Sequence, residues 1–197
     1  MSRPVVIIFT RIPRLGIGKR RLARQIGDRA ALTLSRTLLQ QVLRRLRPLR
    51  GVTRIIGATP DYHAKFHAPG WTRLPQGRGD LGARMQRAIA RFPRRPVVLI
   101  GSDIPGITTA DLRIALHSLR GHHAVFGPAA DGGYWLIGQS ARRPATPFAN
   151  TRWSSAHALA DTRRNFPRRR IKLLRRLADI DDAPPQPALL RHRPSRL

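Results

Sequence analysis

The stretch Leu99-Ile-Gly-Ser-Asp-Ile-Pro-Gly106 runs out of an apolar segment into an aspartate held between glycine and proline. Val97–Gly101 reads as a central strand buried on both faces, because it is continuously apolar rather than alternating. Pro105 lacks an N–H and biases Ile104 toward extended backbone, so the chain leaves the sheet here. Asp103 is therefore expected at the carboxyl edge of the sheet, where open α/β folds bind ligands. A second stretch, Gly127-Pro-Ala-Ala-Asp-Gly-Gly-Tyr-Trp-Leu-Ile-Gly138, sets Asp131 between two apolar runs. Asp-Gly is a turn signal, and Gly133 adds one glycine more than the turn needs, which points to crowding against a ligand. Two strand-end aspartates 28 positions apart could share a metal ion.

The flanking sequence alternates strands with helices. Pro4–Thr10 reads as a buried parallel strand and Arg11–Gly18 as a basic glycine loop. A long helix opens at Asp28, with Ala31, Leu34, Leu38, Val42 and Leu46 on one face, and ends before Pro48. Val52–Thr59 is the next strand and Trp71–Leu74 a short one. Asp80–Phe92 reads as a helix with Asp80 at its start. Thr108-Thr-Ala-Asp111 resembles a capping box for a helix to about Leu119. Ala124–Gly127, Tyr134–Gly138 and Ile171–Leu174 complete the strands, with a helix over Ser154–Arg164 capped by Ser154. The pattern predicts a mostly parallel sheet between helices, in one domain over residues 1–182. The basic, proline-rich segment 183–197 reads as a poorly ordered tail.

The chain has 197 residues and a net charge of +28, with ten aspartates, no glutamate and no cysteine. Disulfides and thiolate metal sites are thereby excluded. The apolar run Val5–Phe9 is too short for a signal-peptide core or a membrane span, so the expectation is a cytoplasmic enzyme. The arginines are spread along the chain instead of forming one stripe, as compositional drift would leave them. Nucleic-acid motifs are missing, but a polyanion-binding protein stays as an alternative. Either way the field attracts anionic ligands. The seven histidines show no metal-ligand spacing.

The first loop, Phe9-Thr-Arg-Ile-Pro-Arg-Leu-Gly-Ile-Gly-Lys-Arg-Arg-Leu-Ala23, combines glycines 16 and 18 with Arg11, Lys19, Arg20 and Arg21. Glycines allow close backbone approach, and the cations and free N–H groups suit a di- or triphosphate. The spacing is neither a Walker A loop nor a dinucleotide fingerprint. Asp103 is read as a ligand for Mg²⁺ or Mn²⁺, since hard cations take carboxylates together with substrate phosphates. Asp131 is read as a second ligand, a general base or a plain turn residue. Asp80 and Arg84 are a helical surface pair or, with Gly77 and Gly79, a nucleotide-orienting group.

These segments, in this order, resemble the bacterial DUF2064 proteins, also called the radical-SAM/selenodomain-associated transferase 1 family. Phe9, Arg11, Pro13, Gly16, Lys19, Arg21, Leu22 and Ala23 match its first motif. Gly79–Met85 match Gly-Asp-Leu-Gly-x-Arg-Met. Gly101, Asp103, Pro105 and Gly106 match the third motif, Gly127–Gly138 the fourth, and Trp153-Ser154 a final pair. The resemblance covers residues 4–182. Arg20 departs from it, because the family usually has threonine there.

The resemblance implies a GT-A-like three-layer α/β/α sandwich and a metal-dependent transferase with a nucleotide-linked donor. Glycosyl transfer from an NDP-sugar to an unknown small-molecule acceptor is the first expectation. The alternative is nucleotidylyl transfer from an NTP to a phosphorylated small molecule. The single aspartate at 103, in place of Asp-x-Asp, keeps that alternative close. On this reading Asp103, Asp131 and Lys19 are catalytic. Arg11, Gly16, Lys19, Arg21, Gly79, Asp80, Arg84, Gly132 and Gly133 bind the nucleotide phosphates.

Overall fold

In the computed structural model, which describes residues 3–61, 66 and 68–178, Val5–Arg11 forms strand β1 at the centre of a seven-stranded sheet. The apolar run Val5–Phe9 within it follows from burial on both faces. Val6 and Ile8 point into one core, Val5 and Ile7 into the other. Each such fully buried aliphatic stabilises the fold by about 1.5–3 kcal/mol.

The remaining strands are β2 (Thr53–Thr59), β3 (Thr72–Pro75), β4 (Val97–Ile100), β5 (Ala124–Pro128), β6 (Tyr134–Gln139) and β7 (Ile171–Leu173). The helices are α1 (Arg20–Ile26), α2 (Asp28–Leu46), α3 (Leu81–Ala90), α4 (Thr109–Ser118) and α5 (Ala158–Arg164). The sheet order is β3-β2-β1-β4-β6-β5-β7. All neighbours pair parallel except β6, which is antiparallel to both β4 and β5. The β5–β6 connection is too short for a crossover, so it can only make a hairpin. Helices α2 and α4 cover one face and α3 the other, giving three layers.

The chain steps outward from β1 to β2 and β3, then returns to place β4 on the other side of β1. Loops after β1 and β4 therefore diverge, and the crevice between them is the ligand position of such sheets. Because β6 runs against its neighbours, the β5–β6 turn opens at the same edge as the loop after β4.

Most elements lie where the sequence places them, with three differences. Residues 20–26 form a separate short helix ahead of α2. Leu34 is only half-buried, while Leu39 joins the core face of α2. Helix α5 starts at Ala158, and Ser154 is not its cap: it adopts φ +56° in the preceding turn, and His157 is the N-cap without a side-chain bond. No described helix is long and apolar enough to cross a membrane. The tail 183–197 lies outside the described residues.

Candidate active site

The loop after β1 turns through Gly16 and Gly18, both at positive φ, and reaches Lys19 at φ +38°. A left-handed lysine costs about 1–2 kcal/mol. It begins α1 without a side-chain cap. That geometry sends its Nζ across the crevice to Asp103, where it donates to Oδ2 at 3.0 Å. Lys19 and Asp103 are thus paired where the β1 and β4 loops diverge, 84 positions apart in sequence.

Two clefts meet at this pair. The larger, about 680 Å³, is lined by Lys19, Arg20, Arg21, Asp103, Asp131 and Trp153, among others. The smaller, about 330 Å³, is lined by Arg11, Gly18, Ser102 and, again, Lys19 and Asp103. Both expected acids therefore face the larger cleft. The left-handed residues Lys19 and Ser154 both line it too, and strained backbone of this kind concentrates at functional sites.

Asp131 is exposed, and its Oδ1 accepts from Gly133 N at 2.8 Å. The expected crowding of Gly133 against a ligand has another cause, since a Cβ there would lie 3.1 Å from that same carboxylate oxygen. Gly132, at φ +86°, is crowded by the backbone of Ala156. The turn is thereby docked against residues 153–157, and Leu159 N donates to Gly132 O at 3.1 Å. Among the described residues no three His, Asp, Glu or Cys side chains cluster to hold a metal by themselves.

Asp80 is the N-cap of α3 and accepts from Ala83 N at 2.7 Å, so one carboxylate oxygen serves the helix. Gly79 takes φ +103° immediately before it. Arg84 turns back from the helix surface and donates to Gln76 Oε1 at 3.0 Å. Burial, and then the neighbouring Arg11, lower its pKa from the ordinary value. Arg11 and Arg84 thus set two like charges near one another beside the end of β1.

Gln76 was not singled out from sequence, because a lone glutamine after a short strand carries no pattern. It is 2% exposed. Its Nε2 donates to Thr10 O at 2.9 Å and Gly57 O at 2.8 Å, clamping β1 to β2 beneath Arg84. Gln76→Leu leaves two buried carbonyls without that donor, costing about 1–3 kcal/mol. Denaturant titration is expected to show a lower midpoint with an unchanged slope.

The rim carrying Trp153 and Ser154 is held by Asp161, whose side chain is 2% exposed. Arg152 donates to it from Nε at 2.8 Å and Nη2 at 3.0 Å, and Arg164 joins. The Arg152 side-chain and backbone hydrogen bonds hold the Asp161 carboxyl well below the usual carboxylate range. A folded-state pKa below the unfolded one gives stability that is complete above the unfolded pKa of about 4 and is lost as pH falls further. Asp161→Asn removes that contribution. Thermal midpoints across pH 7 to 3 are expected to be lower for the variant at pH 7 and to converge with wild type in acid.

The C-terminal segment ties both acid-bearing loops together. Arg175 bonds the Asp111 carboxylate through Nε and Nη2, each at 2.7 Å, and the Gly106 carbonyl at 2.8 Å. Arg176 donates to Ala130 O at 2.7 Å, and Leu177 N donates to Pro128 O at 3.1 Å. These arginines sit in a basic run whose partners are far away in sequence, so no local signal marked them.

A family model described as "Uncharacterized protein conserved in bacteria (DUF2064)" matches residues 39–155, and the chain belongs to that family. No curated protein matches it by sequence. A structure from Desulfovibrio desulfuricans G20, provisionally described as a nucleotide-diphospho-sugar transferase, is 30% identical with a TM-score of 0.85; the match covers 97% of this chain and 87% of that one. A CMP:2-keto-3-deoxy-manno-octonic acid synthetase complexed with CTP is 12% identical, with TM-score 0.61 over 96% of this chain and 95% of that one. A Mycobacterium tuberculosis H37Rv protein solved with manganese is 17% identical, with TM-score 0.55 over 91% and 94%. The last two likenesses show the shared fold alone.

Proposed function

We propose that this chain is a transferase acting on a nucleotide-linked donor, glycosyltransferase-like in moving a sugar from an NDP-sugar to a small acceptor, with the activity carried by residues 1–182. The observation that carries the reading is the Lys19–Asp103 pair at the switch point of the sheet, with a basic cleft on each side. The D. desulfuricans relative, described in the same terms, supports it.

Arg11, Lys19 and Arg21 hold the donor phosphates. Gly16 keeps the loop open to them, and Gly79, Asp80 and Arg84 orient the nucleoside from the start of α3. Asp103 and Asp131 fit a divalent cation by their chemistry. Both are hard carboxylate donors lining one cleft, and Mg²⁺ or Mn²⁺ binds through one or two carboxylates plus substrate phosphates. Such an ion, when bound, neutralises charge growing on the leaving diphosphate. Lys19 supplies a fixed positive charge to the same oxygens, and it needs no reorganisation to do so. An acceptor hydroxyl bonds to the sugar carbon as the bond to diphosphate breaks, and its proton leaves to Asp131 or to water. Gly132 and Gly133 set the turn that presents Asp131. Asp131→Asn separates its two roles: losing a ligand weakens Mn²⁺ binding, whereas losing a base leaves it intact and slows turnover.

Nucleotidylyl transfer from an NTP is the second reading, favoured by one observation. Two positions either side of Asp103 stand Gly101 and Pro105, so the loop offers one acid where an Asp-x-Asp would offer two. Calorimetry of purified protein with Mn²⁺ and a panel of NDP-sugars and NTPs decides between them. NDP-sugar binding is expected, and NTP binding without it would overturn the first reading. A polyanion-binding protein without catalysis would instead show steeply salt-dependent RNA affinity that ignores Asp103→Asn.

A further inference from the structure

The donor phosphates take Arg11, Lys19 and Arg21, which leaves Arg20 of the larger cleft without a role. The smaller cleft has Arg11 beside the Lys19–Asp103 pair, and the larger has Arg20 and Arg21 beside the same pair. Other arginines near this rim are already engaged. Arg152 and Arg164 bond Asp161, and Arg175 bonds Asp111. Arg20 and Arg21, by contrast, have no side-chain partner among the described residues and are exposed. An arginine also stands at 20 where the family pattern has threonine, so this chain has added a cation to the larger cleft.

The opposite wall is apolar and rigid. Trp153 lines the cleft together with Leu81 and Met85. Its indole packs against Gly82, where a Cβ would come within 2.8 Å of Cζ2. It also stands edge-on to Tyr134 at 6.5 Å and tilted to Phe148 at 6.1 Å. The Tyr134 hydroxyl accepts from Thr162. The indole is therefore fixed before any ligand arrives, and a fixed aromatic face binds a flat or ring-shaped apolar surface at little ordering cost. A volume of about 680 Å³ is in the range of pockets that enclose a small molecule.

Resting on the transferase reading, we infer that the larger cleft, besides the donor phosphates at Arg21, also takes the acceptor, a compact ring compound bearing an anionic group. The ring lies against Trp153 and the anion sits at Arg20, with the reacting oxygen toward the Lys19–Asp103 pair. Arg20 is then the residue that selects a charged acceptor.

Calorimetry with phenyl phosphate, benzoate, glucose 6-phosphate and inorganic phosphate tests this on the full chain. Phenyl phosphate and benzoate separate a phosphate from a carboxylate, and glucose 6-phosphate separates a sugar ring from an aryl one. At least one ring compound is expected to bind tenfold or more tightly than inorganic phosphate. Arg20→Thr should weaken that compound about tenfold and Trp153→Phe several-fold, while nucleoside diphosphate affinity changes less than twofold. Ring compounds that bind no better than inorganic phosphate would overturn the inference. So would an Arg20→Thr variant that loses nucleoside diphosphate in equal measure, since Arg20 would then serve the donor. Failure of any nucleotide to bind wild-type protein defeats the transferase reading instead, and the ring-compound titrations report separately from it.

Discussion

Asp103→Ala is expected to abolish Mn²⁺-dependent donor binding and to lower turnover at least 100-fold, while the thermal midpoint shifts by only a few degrees. The two effects separate because of where the side chain sits. It is one-third exposed and makes one ion pair, with Lys19, at 3.0 Å. Partly exposed pairs contribute at most about 1 kcal/mol to stability. The fold therefore tolerates the loss. On the proposed reading the chemistry does not, because the carboxylate would anchor the cation and it also aims Lys19. Removing one fixed electrostatic group from a transition state costs about 3–4 kcal/mol. Asp103→Asn keeps the volume and removes the charge, so it should fail equally. Steady-state kinetics beside a melting curve read both quantities. A variant that melts like wild type and turns over like wild type rules Asp103 out as the metal ligand.

Gly132→Ala should differ from Asp103→Ala by adding a large loss of stability, from one methyl group. The added Cβ would fall on the Ala156 carbonyl oxygen and within 2.6 Å of its Cα, both backbone atoms that cannot swing aside. The residue also holds φ +86°, a conformation that L side chains resist. Overpacking of about 1–3 kcal/mol and backbone strain of about 1–2 kcal/mol add to roughly 3 kcal/mol. Relief can come only by moving the turn from the 153–157 rim, which displaces Asp131 and Trp153 together. Chemical denaturation and acceptor titration on one sample are expected to show both losses. Gly133→Ala makes the contrast, since the nearest atoms to its Cβ belong to the movable Asp131 carboxylate.

Sheet and site were legible to different depths for physical reasons. Val5–Phe9 of β1 and all of β4 are apolar because helices cover both their faces, and that pattern is local. The long helix α2 announces itself by its 3.6-residue period and by Asp28 at its start. Helix α1 does not, because among its seven residues only Leu22 is buried and no side chain caps it. Ser154 looked like a helix cap, since serine prefers that place. Tertiary packing of residues 153–157 against the Asp131 turn overrides the preference. Asp103 and Asp131 were visible because glycine and proline beside a strand end mark where the chain must turn. The Lys19 contact to Asp103 was not visible as a pair, for it depends on the switch in strand order between β1 and β4. Gln76 and Arg175 were hidden for the same reason, with partners supplied by distant strands and loops.

On the proposed reading, Asp103 and Lys19 form the donor-binding centre of a transferase. Calorimetric titration of nucleoside diphosphate into wild type, Asp103→Ala and Lys19→Ala, each with and without Mn²⁺, tests it most directly. Micromolar binding that strengthens at least tenfold with Mn²⁺ in wild type, loses that strengthening in Asp103→Ala and weakens in Lys19→Ala is the predicted result. Equal binding in all three proteins, indifferent to Mn²⁺, would rule out a donor centre at Asp103 and Lys19.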